Sequence, residues 1–103
     1  MSFVGTWHIY EMESWDEDYF NMEVQAYITI NKNGHGDFQF GLDEGSLDYE
    51  VESKRLDFSF EGMDENDPCS GRGYLESPSK GVLRGKFYIH SGESSFFFAR
   101  RQK

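Results

Sequence analysis

Strict alternation of apolar and polar residues is the feature that most constrains the fold of this chain. Successive side chains of a β-strand point to opposite faces, so an alternation with period two predicts strands that bury one face. The same alternation recurs over residues 37–42, 47–52, 56–61 and 83–90, and no sustained 3.6-residue stripe occurs. The clearest run places on one face Phe20, Met22, Val24, Ala26, Ile28 and Ile30. The pattern predicts an all-β chain.

Turn signals separate these runs. Segments rich in Gly, Asn, Ser and Asp occur at residues 33–36, 43–45, 53–54, 77–81 and 91–93. Two connections are longer. Ser14 and Glu17 form a capping box that predicts one helical turn in the first, and the second is the acidic segment 62–70 with Pro68. The spacing predicts strands at about residues 3–12, 19–31, 36–42, 46–53, 55–61, 70–76, 81–90 and 94–101.

Short connections make each strand the antiparallel neighbour of the one before it, which is an up-and-down meander. Closure of the sheet removes the two exposed edges, and about eight strands is the number at which a small barrel is filled by side chains or admits one small ligand. We therefore expect residues 1–103 to form a single-domain β-barrel. A two-sheet β-sandwich and a six-stranded variant are the alternatives.

Charge and composition exclude several classes of partner. The chain has 19 acids against 10 Lys and Arg, and its net charge of −9 repels nucleic acid and anionic membrane surfaces. The longest apolar run, Phe96 to Ala99, is far too short to span a bilayer, and the first residues lack the pattern of a secretory signal. A single cysteine, Cys69, cannot form an internal disulfide. We expect a cytoplasmic protein with neither nucleic-acid nor membrane partners.

The charge is also unevenly distributed along the chain. Residues 1–67 contain 17 acids and 3 bases, whereas residues 68–103 contain 2 acids and 7 bases. Neither part is long enough to bury its own core, so the step does not indicate a domain boundary. We expect the basic C-terminal segment to lie against the acidic N-terminal one and to pair with it.

Gly5-Thr6-Trp7 resembles the glycine-x-tryptophan motif that opens lipocalins and other calycin barrels. The resemblance implies a barrel in which Trp7 plugs one end and a basic residue from the last strand packs across it. Arg100 and Arg101 are both placed to do so, because an indole face binds a guanidinium well and the first and last strands of a closed barrel are neighbours.

A second resemblance covers most of the chain. Residues 15–20, Met22-Glu23 and the later Ser70-Gly71-Arg72-Gly73 are similar to a group of short uncharacterised bacterial proteins. This resemblance implies a cytoplasmic bacterial origin and adds no chemistry.

Strand number and abundant aromatic residues favour a non-enzymatic barrel that binds a small apolar or amine ligand. The expected pocket is lined by Trp7, Ile9, Phe38, Phe40, Phe58 and Phe87, and gated by Trp15 and Tyr19. The loop from Trp15 to Tyr19 combines aromatic and acidic side chains, and at a barrel mouth it would select a cationic ligand.

Signals for catalysis or cofactors are missing from the sequence. It contains no glycine-rich phosphate loop, nucleophile elbow or paired-histidine zinc motif, and Cys69 has no adjacent base. His8, His35 and His90 fall on separate predicted elements, and the acidic segment 64–67 lacks the frame of a calcium loop. We therefore predict no catalytic residue, no metal and no cofactor.

The alternative hypothesis is a protein-interaction module of the immunity-protein or nucleic-acid-mimic type. Its acidic face would steer a basic protein partner and would contain Glu23, Asp48, Glu50, Glu52, Asp57 and Glu61. In Phe96-Phe97-Phe98 at least one ring would be exposed, which a homodimer could bury, so both a monomer and a homodimer are open.

Overall fold

Eight antiparallel strands form a closed up-and-down barrel in the computed structural model, which describes residues 3–101. Each strand pairs with the next, and β8 pairs with β1, so the predicted all-β, single-barrel architecture is confirmed. The strands are β1 Gly5–Met12, β2 Tyr27–Ile30, β3 His35–Phe40, β4 Asp43–Glu52, β5 Arg55–Asp64, β6 Asp67–Ser79, β7 Val82–Ile89 and β8 Ser94–Arg101. One short helix, α1 Glu17–Phe20, lies between β1 and β2.

The first connection differs from the prediction. The strand predicted over 19–31 contains only β2, and Met22 and Val24 are exposed, so their apparent alternation was misleading. The helical turn exists, but its N-cap is Asp16, whose carboxylate accepts from the Tyr19 amide at 3.1 Å. Ser14, predicted to be the cap, instead donates its hydroxyl to the Ser94 carbonyl at 2.8 Å.

Three turns are also tighter than predicted, because the strands beside them run further. β3 and β4 are joined at Gly41-Leu42 rather than at 43–45, and β6 and β7 at residues 80–81. Most of the acidic connection 62–70 is strand, with a turn at residues 65–66. Pro68 fits in β6 because the described pairing of β6 with β7 begins only at Gly71. The N–H that proline lacks would therefore have had no β7 carbonyl to bind.

The barrel interior is filled by phenylalanine rings that face glycines on neighbouring strands. Phe58 lies opposite Gly73, and Phe60 lies opposite Gly71. A Cβ at Gly73 would lie 2.2 Å from the Lys86 carbonyl oxygen and 2.5 Å from the Phe58 ring, so this strand has no space for even a methyl group. The pairing of large rings with glycines makes room for the buried phenylalanines in a narrow interior.

The β1–β8 seam closes the barrel around Trp7. The indole is fully buried, donates to the Phe3 carbonyl at 2.8 Å, and has the Arg101 guanidinium 4.1 Å from its ring centre. Arg100, the other residue proposed for this role, points to the opposite face of β8 and lies over Tyr10 at 4.1 Å. Arg101 therefore performs the packing implied by the resemblance, and Arg100 does not.

The connections at the two ends of the barrel differ in charge. We call the end formed by residues 13–26, 41–42, 65–66 and 90–93 the mouth, and the end formed by turns 31–34, 53–54 and 80–81 the base. The mouth connections contain seven acids and no Lys or Arg, whereas each base turn contains one lysine and no acid. The three ion pairs described each join residues within one part of the chain, so the expected pairing between the acidic and basic parts is not found among them.

Candidate functional site

The predicted pocket residues divide between three places in the barrel. Trp7 is the plug at the base, and Trp15 and Tyr19 cover the mouth. The other predicted residues, Ile9, Phe38, Phe40, Phe58 and Phe87, are buried in the interior. Phe87 has its ring centroid 5.1 Å from those of Phe38 and Phe40 and 4.8 Å from that of Phe97. A ligand between these rings would have to displace them.

A polar cluster lies above the rings, at the mouth. Asp43 is the first residue of β4 and points inward in the same phase as Leu47. It pairs across the strands with Asp64, the last residue of β5, and Tyr19 reaches it from α1. Cys69, on β6, contacts the core from the same end of the barrel. Strand register and the position of α1 therefore bring together polar side chains from four different elements.

The Asp43 carboxyl is buried, with 4% of its surface exposed, although it is ionisable. Its Oδ2 lies 3.5 Å from the Tyr19 hydroxyl, and its Oδ1 is buried with no hydrogen-bond partner within the part of the chain described. The Tyr19 hydroxyl in turn accepts from the Leu42 amide at 3.3 Å. A buried acceptor without a donor costs free energy, and a buried unpaired carboxylate costs more.

Burial raises the pKa of Asp43 to about 7. The hydrogen bond that the protonated Asp43 carboxyl donates to Asp64, and charge repulsion from Asp64, add to this effect, whereas the hydrogen bond from Tyr19 opposes it. A carboxyl with this pKa keeps its proton in mildly acidic solution and ionises near neutrality. Once it is ionised, the strong acceptor at Oδ1 faces no donor. Burial also raises the pKa of Tyr19, so its phenol stays protonated and can donate to the carboxylate.

Aromatic rings cover this cluster. Trp15 stacks near Tyr19 with ring centroids 6.1 Å apart and lies against Phe40 at 5.1 Å. Gly41 permits this close approach, because it has a φ of +60° and a Cβ there would lie 2.2 Å from the Tyr19 ring. Trp15 and Tyr19 are only half-buried and Asp64 is exposed, so the cluster borders solvent beside Asp64.

The surroundings of Cys69 disfavour ionisation of its thiol. Burial raises the pKa of its thiol, and the charges of Asp43 and Asp64 raise it further. A thiol is reactive as its thiolate, and this environment disfavours the thiolate. In the residues from 3 to 101, no group of three or more His, Cys, Asp or Glu side chains could hold a metal ion.

Sequence reasoning located Trp15 and Tyr19 at the mouth but missed Asp43 and Asp64. The sequence predicts a turn at Asp43 and a longer connection at Asp64, because both segments have the composition of loops. The available signal was the two-residue spacing of Asp43, Gly45 and Leu47, which places all three on the inward face of β4. The signal is weak, because an inward acid is rare in a strand.

The chain matches no known protein family, and neither the curated proteins nor the solved structures compared with it contain a match. Among residues 3–101, no helix is both long and apolar enough to cross a bilayer.

Proposed function

We propose that this protein is a non-enzymatic binding protein that takes a small organic ammonium ion at the mouth of the barrel. The observation that carries the proposal is the buried Oδ1 of Asp43, which has no hydrogen-bond partner in the described structure. An ammonium group supplies both the charge and the N–H donor that this oxygen lacks.

The surroundings of Asp43 suit an amine with an apolar body. Asp64 and the Tyr19 hydroxyl offer further acceptors beside Asp43, and the Trp15 ring can contact a cation through its face. The mouth connections, which carry acids without Lys or Arg, would attract a cation and repel an anion. The ligand would enter beside the exposed Asp64 and displace the edge of the Trp15–Tyr19 cover.

The expectation of an apolar ligand in the lumen finds less support, because the interior phenylalanine rings contact one another. Of the two ligand types expected from the sequence, apolar or amine, the polar cluster at the mouth favours the amine. Kinship with calycin barrels is part of this proposal, and it is supported by Gly5-Thr6-Trp7 and by the stacking of Arg101 on Trp7.

Isothermal titration calorimetry with 4-phenylbutylamine and with 4-phenylbutanol tests the proposal. We expect the amine to bind at pH 8 and the alcohol, which has the same apolar body, to bind at least about tenfold more weakly. Asp43→Asn should reduce amine affinity by about tenfold or more, because the amide keeps the shape and loses the charge.

Asp48→Asn is the matched control. It removes one carboxylate from the exposed outer face and should leave the amine affinity within about twofold. Equal binding of amine and alcohol, or an equal loss in the two variants, would refute the mouth site.

A second candidate function is a protein-interaction module, and the outer face of the barrel favours it. Seven exposed carboxylates lie on the outer side of three neighbouring strands, β3, β4 and β5: Asp37, Glu44, Asp48, Glu50, Glu52, Asp57 and Glu61. Among the described residues, the ion pairs on this face involve His35 and Arg55. Glu23, which was expected on this face, lies in the mouth connection instead.

A lysine homopeptide of about 20 residues separates this candidate from the first. The triple variant Asp48→Asn, Glu50→Gln, Asp57→Asn should weaken peptide binding and flatten its dependence on salt, because fewer charges attract the peptide. Asp43→Asn should leave peptide binding unchanged. Peptide binding that survives the triple variant would reject the acidic face as an interaction surface.

A further inference from the structure

A groove of about 630 Å³ opens at the base, far from the mouth cluster. It lies between the turn that joins β4 to β5 and the turn that joins β6 to β7. Its lining includes Phe3, Val51, Ser53, Lys54, Ser79 and Lys80. Its volume falls within the range of small-molecule sites, about 300–1,000 Å³.

The floor of the groove is apolar and uncovered. Val51 lies in the inward phase of β4, as Leu47 does, yet it is 51% exposed. Its strand partner, Leu56, is fully buried. Val51 therefore lies at the edge of the core, and no described residue covers its exposed side. Phe3, whose carbonyl oxygen accepts from Trp7, provides a second apolar surface beside it.

The rim of the groove is cationic. Lys54 and Lys80 occupy the tips of the two turns, and neither forms an ion pair with a carboxylate of the described residues. The Ser77 hydroxyl donates to the Ser79 and Val82 carbonyls at 3.0 and 3.1 Å, and thereby holds the bulge that aims the β6–β7 turn. The neighbouring acid Glu52 is on the outer side of β4, away from this inward-facing lining.

We propose that this groove binds a small amphipathic anion, with a compact apolar body that bears a carboxylate or phosphate group. The apolar body would cover Val51 and Phe3, and the anionic group would lie between the Lys54 and Lys80 ammonium groups. The acids of the mouth connections lie at the opposite end of the barrel from the groove, and the longest dimension of the molecule, 35 Å, far exceeds the screening length of about 8 Å at physiological ionic strength. Glu50 and Glu52 lie nearer, on the outer side of β4, so the Lys54 and Lys80 ammonium groups would have to outweigh these two carboxylates.

This inference does not depend on the amine site, because the two sites are at opposite ends of the barrel and have opposite charge. The compounds that test it share one apolar body: 4-phenylbutanoate, 4-phenylbutanol and 4-phenylbutylamine. We expect amide chemical-shift changes at residues 51–54, 77 and 79–82 on addition of the carboxylate. The alcohol should bind at these residues at least about fivefold more weakly.

The variant Lys54→Gln, Lys80→Gln should weaken 4-phenylbutanoate binding by about tenfold. Lys32→Gln, which changes the lysine of the third base turn and lies outside the groove lining, should leave it within about twofold. Val51→Ser should also weaken binding, by about threefold, because it removes apolar surface. These positions are exposed, so thermal unfolding midpoints should stay close to that of the parent chain.

Three outcomes would overturn the proposal. They are equal binding of the carboxylate and the alcohol, an equal loss in Lys32→Gln, and no shift at residues 51–54 at millimolar ligand. Vesicles of phosphatidylcholine with 30% phosphatidylglycerol distinguish a lipid headgroup from a free ligand. A fourth outcome, vesicle binding that is lost in the variant Lys54→Gln, Lys80→Gln, would identify a lipid surface and not a free small molecule as the occupant of the groove. Asp43→Asn should leave the carboxylate affinity unchanged, so failure at either site is recognised separately.

Discussion

The Arg101 guanidinium lies 4.1 Å from the centre of the Trp7 ring and donates to the Val4 carbonyl at 2.8 Å. It therefore connects the last strand to the backbone that leads into the first, across the seam where the barrel closes. The cation covers an indole that is otherwise enclosed by apolar side chains. Because this contact joins residues 94 positions apart in sequence, it stabilises closure of the whole sheet.

Replacement of Arg101 by Leu should destabilise the barrel by about 1–2 kcal/mol, because it removes the cation–π contact and the hydrogen bond to Val4. Chemical denaturation monitored by Trp fluorescence measures this loss. Arg100→Leu is the matched control, since Arg100 stacks on the half-buried Tyr10 and not on the plug. An Arg100 variant that loses as much stability as the Arg101 variant would contradict a special role for the plug.

Replacement of Gly73 by Ala should destabilise the barrel by about 2 kcal/mol or more. The new Cβ would meet the Lys86 carbonyl oxygen at 2.2 Å and the Phe58 ring at 2.5 Å, so two strands would have to separate. Gly92→Ala is the control, because the nearest atom to its Cβ is a methyl carbon of Ile89 at 3.0 Å. It should change the free energy of unfolding by less than about 0.5 kcal/mol.

The alternation of residues, the spacing of the turn signals and the need to remove exposed sheet edges together predicted the eight strands and the closed barrel. It was misleading at Met22 and Val24, where the alternating pattern continues but no partner strand exists. The hydrogen bond from the Ala26 amide to the Asn21 side chain, at 2.8 Å, ends this irregular segment just before β2 begins. The alternation of apolar and polar residues therefore does not reveal which segments pair with a neighbouring strand.

The polar cluster could not be predicted for a related reason. Asp43 and Asp64 meet because Gly41-Leu42 and residues 65–66 are tight turns, which extends β4 and β5 into segments that resemble solvated loops. Acids and glycines are common in loops, so the sequence favoured the loop. The register of β4 against β5, which depends on the whole sheet, places these two segments in strands and brings Asp43 opposite Asp64.

Replacement of Asp43 by Asn should remove a pH-dependent loss of stability. The pKa of Asp43 is raised to about 7 in the folded protein from an ordinary value of 3.8, so the folded state binds the proton more tightly than the unfolded state. Its contribution to stability is therefore fully present below about pH 4 and is lost as the pH rises through 7. The difference in free energy of unfolding between variant and parent should change by about 1–3 kcal/mol in favour of Asn between pH 4.5 and 8.

Urea denaturation at several pH values measures this difference. Asp48→Asn serves as the control for general charge effects, because that carboxylate is exposed on the outer face. If the free energy of unfolding of Asp43→Asn, relative to that of the parent chain, does not increase with pH, Asp43 does not cause the loss of stability at high pH.

Replacement of Tyr19 by Phe should preserve the aromatic cover and remove the only described donor to Asp43. We expect the stability loss to be greater at pH 8, where Asp43 is ionised, than at pH 5, where it holds its proton. The loss at pH 8 should be about 1 kcal/mol. A loss of equal size at both pH values would indicate that the hydroxyl acts on the Leu42 amide alone.

The reactivity of Cys69 reports on the same cluster. Burial raises the pKa of the thiol, and the negative charges of Asp43 and Asp64 raise it further, so native Cys69 should react slowly with iodoacetamide at pH 8. Asp43→Asn removes one of these charges and should increase the alkylation rate by a few fold, because the thiolate fraction grows as the pKa falls. Intact-mass spectrometry at timed intervals measures the rate, and Asp48→Asn should leave it unchanged. An unchanged rate in Asp43→Asn would mean that the Asp43 carboxylate does not act on the thiol, and the electrostatic account of the mouth would then fail.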